Sequence, residues 1–280
     1  MIPFELAEPA SLAEALALLD PDDPAVRPIS GGTALMLMMK SGFYRPRRLV
    51  SLRALGAGLA TIAATPAGGL DIGAMVRLAD IERSPVVRSN FPVIAETLLT
   101  HSNVRVRNVA TIGGNLAHAD PHMDLPPVLI ALGASVRAAG PAGERTIPLA
   151  ALATGYMTTA LGNDEVIAAL DVPPQTGRRA AYAKITARTA DDWPALGVAV
   201  SVGPGDVRIA VGAATEIAMR LPQTEALLAG RRLDDALLRE AGKCAAAETP
   251  VVGDLNCSAA YKRVLIEVHL RRALRKALAA

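Results

Sequence analysis

Residues 107–117 read RNVATIGGNLA and carry the most informative pattern of the chain, two consecutive glycines, Gly113 and Gly114, flanked by polar residues. A second glycine pair occurs earlier, in residues 30–34, SGGTA. Consecutive glycines let neighbouring backbone N–H groups converge on an anion, typically a phosphate, because no Cβ atoms intervene. One such loop alone is more simply a tight turn. The two together indicate a diphosphate held from both sides, with a helix N-terminus after each loop adding partial positive charge.

The familiar dinucleotide and nucleotide motifs are absent from the sequence. A near match to G-x-G-x-x-G begins at Gly56 and Gly58, but Thr61 stands where the third glycine is needed. The Walker A lysine pattern does not occur either. A dinucleotide bound by this chain is therefore held by an architecture other than the Rossmann fold.

The composition is that of a folded protein without a strong electrostatic field. The 280 residues are 51% hydrophobic and 20% charged, with a net charge of +2, which argues against disorder and against nucleic acid or anionic membrane as a partner. The longest uncharged stretch, residues 146–163, contains proline and glycine and predicts no spanning helix. No signal peptide is visible and the two cysteines suit a reducing compartment, so we expect a cytoplasmic protein.

Apolar runs and turn residues divide the chain near residue 175. Residues 1–175 are predicted to form an α+β domain, and residues 176–280 a smaller domain in which strands precede helices. Within the first domain, residues 103–123 are predicted to be one long loop, because Gly, Asn, Asp and Pro are frequent there. Asp124 is predicted to cap a helix over residues 125–132. In the smaller domain we predict strands at 182–186, 196–202 and 207–211, then helices at 222–228, 233–248 and 258–280.

Residues 118–124, HADPHMD, form a candidate metal site because they hold two histidines and two aspartates. Pro121 prevents a helix from stacking the two histidines, so a loop that positions backbone is the simpler interpretation. Asp124 has a second interpretation, as the acceptor for a ribose hydroxyl of a bound dinucleotide. Arg107 is more simply a brace for the loop backbone than a phosphate ligand. Trp193, the only tryptophan, is explained by core packing or an interface.

The same residues resemble a known family. The stretch 107–117, followed by Ala119-Asp120-Pro121 and Asp124-Leu125-Pro126, resembles the second FAD motif of the flavoprotein subunit of molybdenum hydroxylases, the carbon monoxide dehydrogenase and xanthine dehydrogenase family. Residues 30–35, followed by Met39 and Lys40, are similar to the first FAD motif. The resemblance covers essentially the whole chain, including the strand with Tyr182 and Lys184.

This resemblance implies a fold and a role. The fold is a two-lobed FAD-binding domain of the vanillyl-alcohol-oxidase (PCMH) type, followed by a small domain made of a three-stranded sheet and helices. The role is electron relay as the medium subunit of a heterotrimer, itself expected to dimerise. Its partners would be a large subunit that binds the molybdopterin cofactor and a small subunit that carries two [2Fe–2S] clusters. FAD would take electrons from these clusters and pass them to an external acceptor.

The resemblance also assigns site residues. Asp124 would contact the adenosine side of FAD or the adjacent loop, while Leu161 and Lys184 would lie near the isoalloxazine ring, where a positive Lys184 would favour the anionic reduced flavin. Ala34 offers no polar side chain where many relatives have one, and the first motif lacks histidine, so we expect non-covalent FAD. The residues expected to hold the diphosphate and flank the flavin are Ser30, Gly31, Gly32, Thr33, Ala34, Thr111, Gly113, Gly114 and Asn115.

Two other functions remain open at this level. The chain could be a free-standing flavin-dependent oxidase or reductase of the same fold, although Lys184 and Tyr156 are its only candidates for a catalytic acid or base. It could also be a subunit that has lost flavin, for which Ala34 is the one hint. Two cysteines cannot supply the four thiolates of an iron–sulfur cluster, so such clusters belong to other chains. The substrate of the complex and the electron acceptor are not encoded in recognisable motifs.

Overall fold

The N-terminal lobe is built on a small parallel sheet. A computed structural model describes residues 2–255 and 257–279 of the chain. The three-stranded sheet has the order β1-β3-β2, and Ser11 caps its first helix by accepting a hydrogen bond from the Glu14 N–H at 3.1 Å. The elements of this lobe are β1 (Glu5–Ala7), α1 (Leu12–Ala17), β2 (Val26–Ile29), α2 (Leu35–Lys40) and β3 (Arg48–Ser51).

The central lobe contains a five-stranded antiparallel sheet in the order β4-β5-β10-β6-β7. Alternating apolar residues of its strands pack against short helices. The strands and helices together form one large apolar core. The helix over residues 125–132 is predicted by the sequence and confirmed. The elements are α3 (Gly56–Leu59), β4 (Ile62–Ala64), β5 (Leu70–Gly73), α4 (Leu78–Arg83), α5 (Pro85–Asn90), α6 (Pro92–Leu99), α7 (Val104–Arg107), α8 (Ile112–His118), α9 (Leu125–Leu132), β6 (Ser135–Gly140), β7 (Gly143–Pro148), β8 (Ala153–Gly155), β9 (Thr158–Thr159) and β10 (Val166–Val172).

The prediction of one long loop over residues 103–123 is wrong, because α7 and α8 both lie within it. Asn103 and Thr111 cap these two helices with their side chains. Gly113 is tolerated in α8 because the helix packs closely on Ala74, the residue after β5: a Cβ atom at this position would come within 2.7 Å of the Ala74 Cβ. Tertiary packing therefore overrides the low helix propensity of the glycine pair.

The C-terminal part contains an antiparallel sheet in the order β11-β12-β13-β14. The three strands expected from the sequence are present, and a two-residue edge strand extends the sheet to four. A strand of two residues has too few alternating positions to be predicted from the sequence. The elements are β11 (Arg179–Thr186), β12 (Pro194–Val202), β13 (Val207–Gly212), β14 (Met219–Arg220), α10 (Pro222–Leu228), α11 (Asp235–Glu248) and α12 (Ala259–Ala279).

The C-terminal sheet is covered on both faces. One face packs on α10, α11 and α12 in a separate apolar core, and the other face contributes Ala199 and Ala210 to the core of the central lobe. Because α9 lies against β12 and β13, side chains at the start of α9 meet side chains of the C-terminal sheet. No helix in the described part of the chain is long and apolar enough to cross a membrane.

Candidate functional site

Residues 30–34, the first glycine loop, and residues 111–115, the second glycine loop, lie against each other. The Thr111 hydroxyl donates to the Ser30 hydroxyl across 3.0 Å. Gly31 allows the backbones to approach, because a Cβ atom there would come within 2.3 Å of the Val109 carbonyl oxygen. The two loops predicted from the sequence to share a ligand therefore form one structural unit.

The second glycine loop uses its own backbone donors. The Gly113 N–H donates to the Ala74 carbonyl at 2.9 Å, and the Gly114 N–H donates to the Thr111 hydroxyl at 3.2 Å. The Ile112 and Asn115 N–H groups are also bonded, to the carbonyls of Val76 and Thr111. This differs from the expectation that both loops present free donors to a diphosphate, because the second loop is the capped first turn of α8.

The first glycine loop has the donors that the second lacks. Within the part of the chain that the structure describes, none of the N–H groups of residues 31–34 donates to another group. The loop connects β2 to α2 and is half-buried, so these donors are held in place although they make no hydrogen bond to the described residues. A row of oriented, unused backbone donors is suited to an anion with several oxygen atoms, such as a diphosphate.

A buried group of polar side chains, the Asp124 cluster, lies beside the second glycine loop. Asp124 is 2% exposed, and its carboxylate accepts hydrogen bonds from the Tyr182 hydroxyl at 2.9 Å and from Lys184 Nζ at 3.1 Å. The prediction that Asp124 caps α9 with its side chain is wrong, because these stronger, charge-assisted partners engage the carboxylate. The cluster consists of His101, Asn115, Asp124, Tyr182 and Lys184.

His101 completes the cluster and was not identified from the sequence. Its Nδ1 lies 2.9 Å from Asp124 Oδ2, and its Nε2 lies 3.2 Å from Asn115 Nδ2. Asn115 Oδ1 is buried without a hydrogen-bond partner among the described residues. A lone histidine in an irregular segment gives no periodic signal, so only the tertiary structure could show this contact. Tyr182 was detectable, since positions 182 and 184 share one face of a strand.

Burial and charge shift the titration of Tyr182. Burial, followed by the negative charge of Asp124 and the hydrogen bond to it, raises the pKa of the Tyr182 hydroxyl well above its ordinary value. Tyr182 therefore stays protonated and acts as a donor to Asp124.

Lys184 is held more tightly than the sequence suggested. Its Nζ donates to the Thr100 carbonyl at 2.7 Å as well as to Asp124, and its side chain is 7% exposed. Asp124 and Lys184 were assigned by resemblance to opposite ends of FAD, yet they form one ion pair. The charge of Lys184 is therefore balanced locally. Leu161 stands apart from this cluster, in the segment between β9 and β10, and packs against the central core.

Arg107 braces the backbone, as the sequence indicates. Its Nε donates to Glu82 at 2.7 Å, and its Nη1 donates to the carbonyls of His101 and Ser102 at 3.2 and 2.6 Å. The guanidinium is thereby occupied within the fold. It fixes the segment that carries His101.

The loop after α8 is organised by ion pairs. His122 Nδ1 lies 3.0 Å from Asp120 and Nε2 lies 3.4 Å from Asp254, and the Trp193 ring meets the imidazole edge-on at 5.9 Å between centroids. The hydrogen bond to Asp120 raises the pKa of His122, and burial opposes it. Within residues 2–255 and 257–279, no group of three or more potential ligands is arranged to hold a metal ion.

Comparison with known proteins identifies the family. Residues 2–175 match the FAD binding domain in molybdopterin dehydrogenase, and residues 180–277 match the CO dehydrogenase flavoprotein C-terminal domain. The chain is 33% identical to the carbon monoxide dehydrogenase medium chain of Afipia carboxidovorans, covering 100% of this chain and 99% of that one. It is 31% identical to the nicotine 6-hydroxylase medium subunit of Paenarthrobacter nicotinovorans, covering 96% and 95%.

A solved structure agrees over the full length. The carbon monoxide dehydrogenase of Hydrogenophaga pseudoflava superposes with a TM-score of 0.94 at 33% identity, covering 100% of this chain and 99% of that chain. The predicted α+β architecture, a two-lobed FAD-binding domain followed by a small sheet-and-helix domain, is confirmed. The free donors of the first loop and the open acceptor of Asn115 fit a ligand with phosphate oxygens and hydroxyl groups, as FAD has. The chain therefore belongs to the family of FAD-binding medium subunits of the molybdenum hydroxylases, and it is an oxidoreductase subunit.

Proposed function

We propose that the chain relays electrons through an FAD whose diphosphate lies on the first glycine loop, with the second glycine loop as the opposing wall. The observation that carries this proposal is the row of unused N–H donors at residues 31–34, in a loop that the Thr111–Ser30 hydrogen bond joins to the second glycine loop. Thr33 and Ala34 contribute backbone only in this arrangement, so the lack of a polar side chain at Ala34 removes no donor from the row.

The remaining predicted contacts follow from the Asp124 cluster. Because Asp124 and Lys184 are paired, we assign them to the same part of FAD rather than to opposite ends. Leu161 would supply an apolar contact to the isoalloxazine ring. Gly114 would leave the wall beside Ser30 without a side chain, Gly113 lets that wall pack on Ala74, and Asn115 would accept a hydrogen bond from the cofactor. FAD is expected to be non-covalent.

When bound, FAD supplies the transfer of electrons from iron–sulfur clusters to an external acceptor. The chain holds and orients the cofactor, and it keeps a neutral charge balance beside it through the Asp124–Lys184 pair. We infer a large subunit with the molybdopterin cofactor and a small subunit with two [2Fe–2S] clusters as partners, in a dimer of heterotrimers in the cytoplasm. The FAD-binding domain would span residues 1–175 and the second domain residues 176–280.

The complex isolated from its native host tests this proposal. We expect its absorption spectrum to show flavin and iron–sulfur bands, and its elemental analysis to show molybdenum. Two further chains should copurify with this one. Flavin without partner chains would contradict the relay and favour a free-standing flavoenzyme. A colourless chain that stays colourless when FAD is added would contradict the assignment of both loops.

A further inference from the structure

Within the Asp124 cluster, the hydrogen bonds of His101 fix its tautomer. Its Nδ1 lies 2.9 Å from Asp124 Oδ2, a carboxylate that also accepts from Lys184. An ionised carboxylate can only accept hydrogen bonds, so Nδ1 carries the proton. In the neutral ring the other nitrogen, Nε2, is then an acceptor.

This tautomer determines how the Asn115 amide is turned. Because His101 Nε2 accepts, the atom 3.2 Å from it must be the Asn115 amide nitrogen. Asn115 Oδ1 is thereby directed away from the histidine. It is a buried acceptor with no partner among the residues that the structure describes, although it stands on the same helical turn as Gly113 and Gly114. An unsatisfied buried acceptor is costly, so a donor from outside the chain is expected there.

We propose that His101 is a positioning residue, which in its neutral Nδ1–H form turns Asn115 Oδ1 toward bound FAD, where Oδ1 accepts a hydrogen bond from a cofactor hydroxyl. The inference rests on the proposed function. A ribityl or ribose hydroxyl is the matching chemistry, because the diphosphate offers only acceptors and Oδ1 itself only accepts.

A second proton on His101 would reverse this arrangement. Nε2–H and the Asn115 amide nitrogen would then be two donors facing each other, so the amide would have to turn and withdraw Oδ1 from the cofactor. The position of Asn115 Oδ1 therefore depends on the neutral Nδ1–H form of the ring. The groups that face His101 or its backbone are Asp124, Lys184 and Tyr182, and Arg107 paired with Glu82.

The test is an FAD titration of the full chain, freed of flavin and followed by flavin fluorescence at about pH 8. His101→Gln is the conservative variant, since glutamine carries one donor and one acceptor and does not titrate. His101→Phe keeps an aromatic ring without either group. His269→Gln, on α12 and outside the cluster, is the matched control.

His101→Gln should bind FAD within about threefold of the unmodified chain. His101→Phe lacks the acceptor that turns Asn115, and the loss of one hydrogen bond predicts a dissociation constant about tenfold higher. His269→Gln should follow the unmodified chain. A His101→Phe variant that binds FAD as tightly as the unmodified chain, or a His101→Gln variant that binds as weakly as His101→Phe, would overturn the inference.

Nitrogen NMR of the imidazole gives a readout that does not depend on FAD. Near pH 8 we expect His101 to be the Nδ1–H tautomer in the full chain, and an Nε2–H tautomer would overturn the inference alone. If the unmodified chain binds no FAD at any pH, the proposed function fails first, and this inference with it.

Discussion

The two glycine loops look alike in sequence and differ in how they use their backbone donors. In the second glycine loop the N–H groups of residues 112–115 are all bonded within the chain. In the first glycine loop the N–H groups of residues 31–34 donate to nothing in the described part of the chain. A glycine pair therefore indicates close backbone approach in both places, but only one of the two loops is left with donors for an anion.

The difference has a structural cause. The second loop is the capped start of α8, where the Thr111 hydroxyl accepts from one N–H and the Ala74 carbonyl accepts from another. The first loop leaves a parallel strand and enters α2 without a side-chain cap. In the proposed arrangement the first loop is the binding element and the second is a rigid wall, which the Asp124 cluster holds in place through Asn115.

The largest effect on stability should come from removing Asp124, which supports the second glycine loop. Asp124→Ala leaves the Lys184 ammonium buried without its carboxylate, and we expect a loss of about 3–5 kcal/mol in the free energy of unfolding. Urea unfolding measures this. Asp22→Ala, an exposed carboxylate, is the control and should change stability by less than about 0.5 kcal/mol.

If the penalty arises from the unpaired charge, the double variant Asp124→Ala with Lys184→Met should recover a large part of it. A double variant no more stable than Asp124→Ala alone would show that packing, and not charge, is what Asp124 supplies.

The contact between the loops can be broken at Gly31. Gly31→Ala places a Cβ atom 2.3 Å from the Val109 carbonyl, which is backbone and cannot rotate away. We expect a loss of about 1–3 kcal/mol and much weaker retention of FAD, measured by denaturation and by flavin content. Gly58→Ala is the matched control, because a Cβ atom there meets nothing within 4 Å. Equal behaviour of the two variants would contradict the packing of the loops as one unit.

A smaller effect is expected at the hydroxyl that joins the loops. Thr111→Val removes both the cap of α8 and the hydrogen bond to Ser30, at a cost of about 1 kcal/mol. Thr111→Ser keeps the hydroxyl and should stay close to the unmodified chain. Thermal unfolding of the three proteins checks this, and a Thr111→Val variant as stable as Thr111→Ser would show that the cap is not used.

The smallest effect concerns the loop that follows α8, and it depends on pH. The hydrogen bond to Asp120 raises the pKa of His122 above its ordinary 6.5. Burial opposes the ionisation of Asp120, but the hydrogen bonds from His122 outweigh it and lower the Asp120 pKa below its ordinary 3.8.

The stabilisation by this pair is therefore full between these two ordinary values. It is lost as the pH rises through the raised pKa of His122, and also as the pH falls through the lowered pKa of Asp120. His122→Gln should cost up to about 1 kcal/mol near pH 5 and less near pH 9, as measured by urea unfolding at both pH values. A cost that does not change with pH would contradict an ionic contribution.

The sequence predicts regular elements well and tertiary polar contacts poorly. The helices at Leu125–Leu132 and Pro222–Leu228 were expected at these positions, because proline near the start and turn residues after the end delimit them. The helices α7 and α8 were missed, since the side-chain caps of both helices and the close packing of Gly113 on Ala74 outweigh the low propensity of this segment. The same limit applies to the Asp124 cluster, because Lys184 reaches Asp124 from the C-terminal sheet and His101 reaches it from the segment after α6.

Amide hydrogen exchange of the full chain, with and without FAD, tests the contrast between the loops most directly. The structure predicts that the amides of residues 31–34 exchange rapidly in the flavin-free chain and become protected when FAD binds. The amides of residues 112–115 should be protected in both states. Protection gained at residues 112–115, with residues 31–34 unchanged, would contradict the assignment of the first loop as the element that binds the diphosphate.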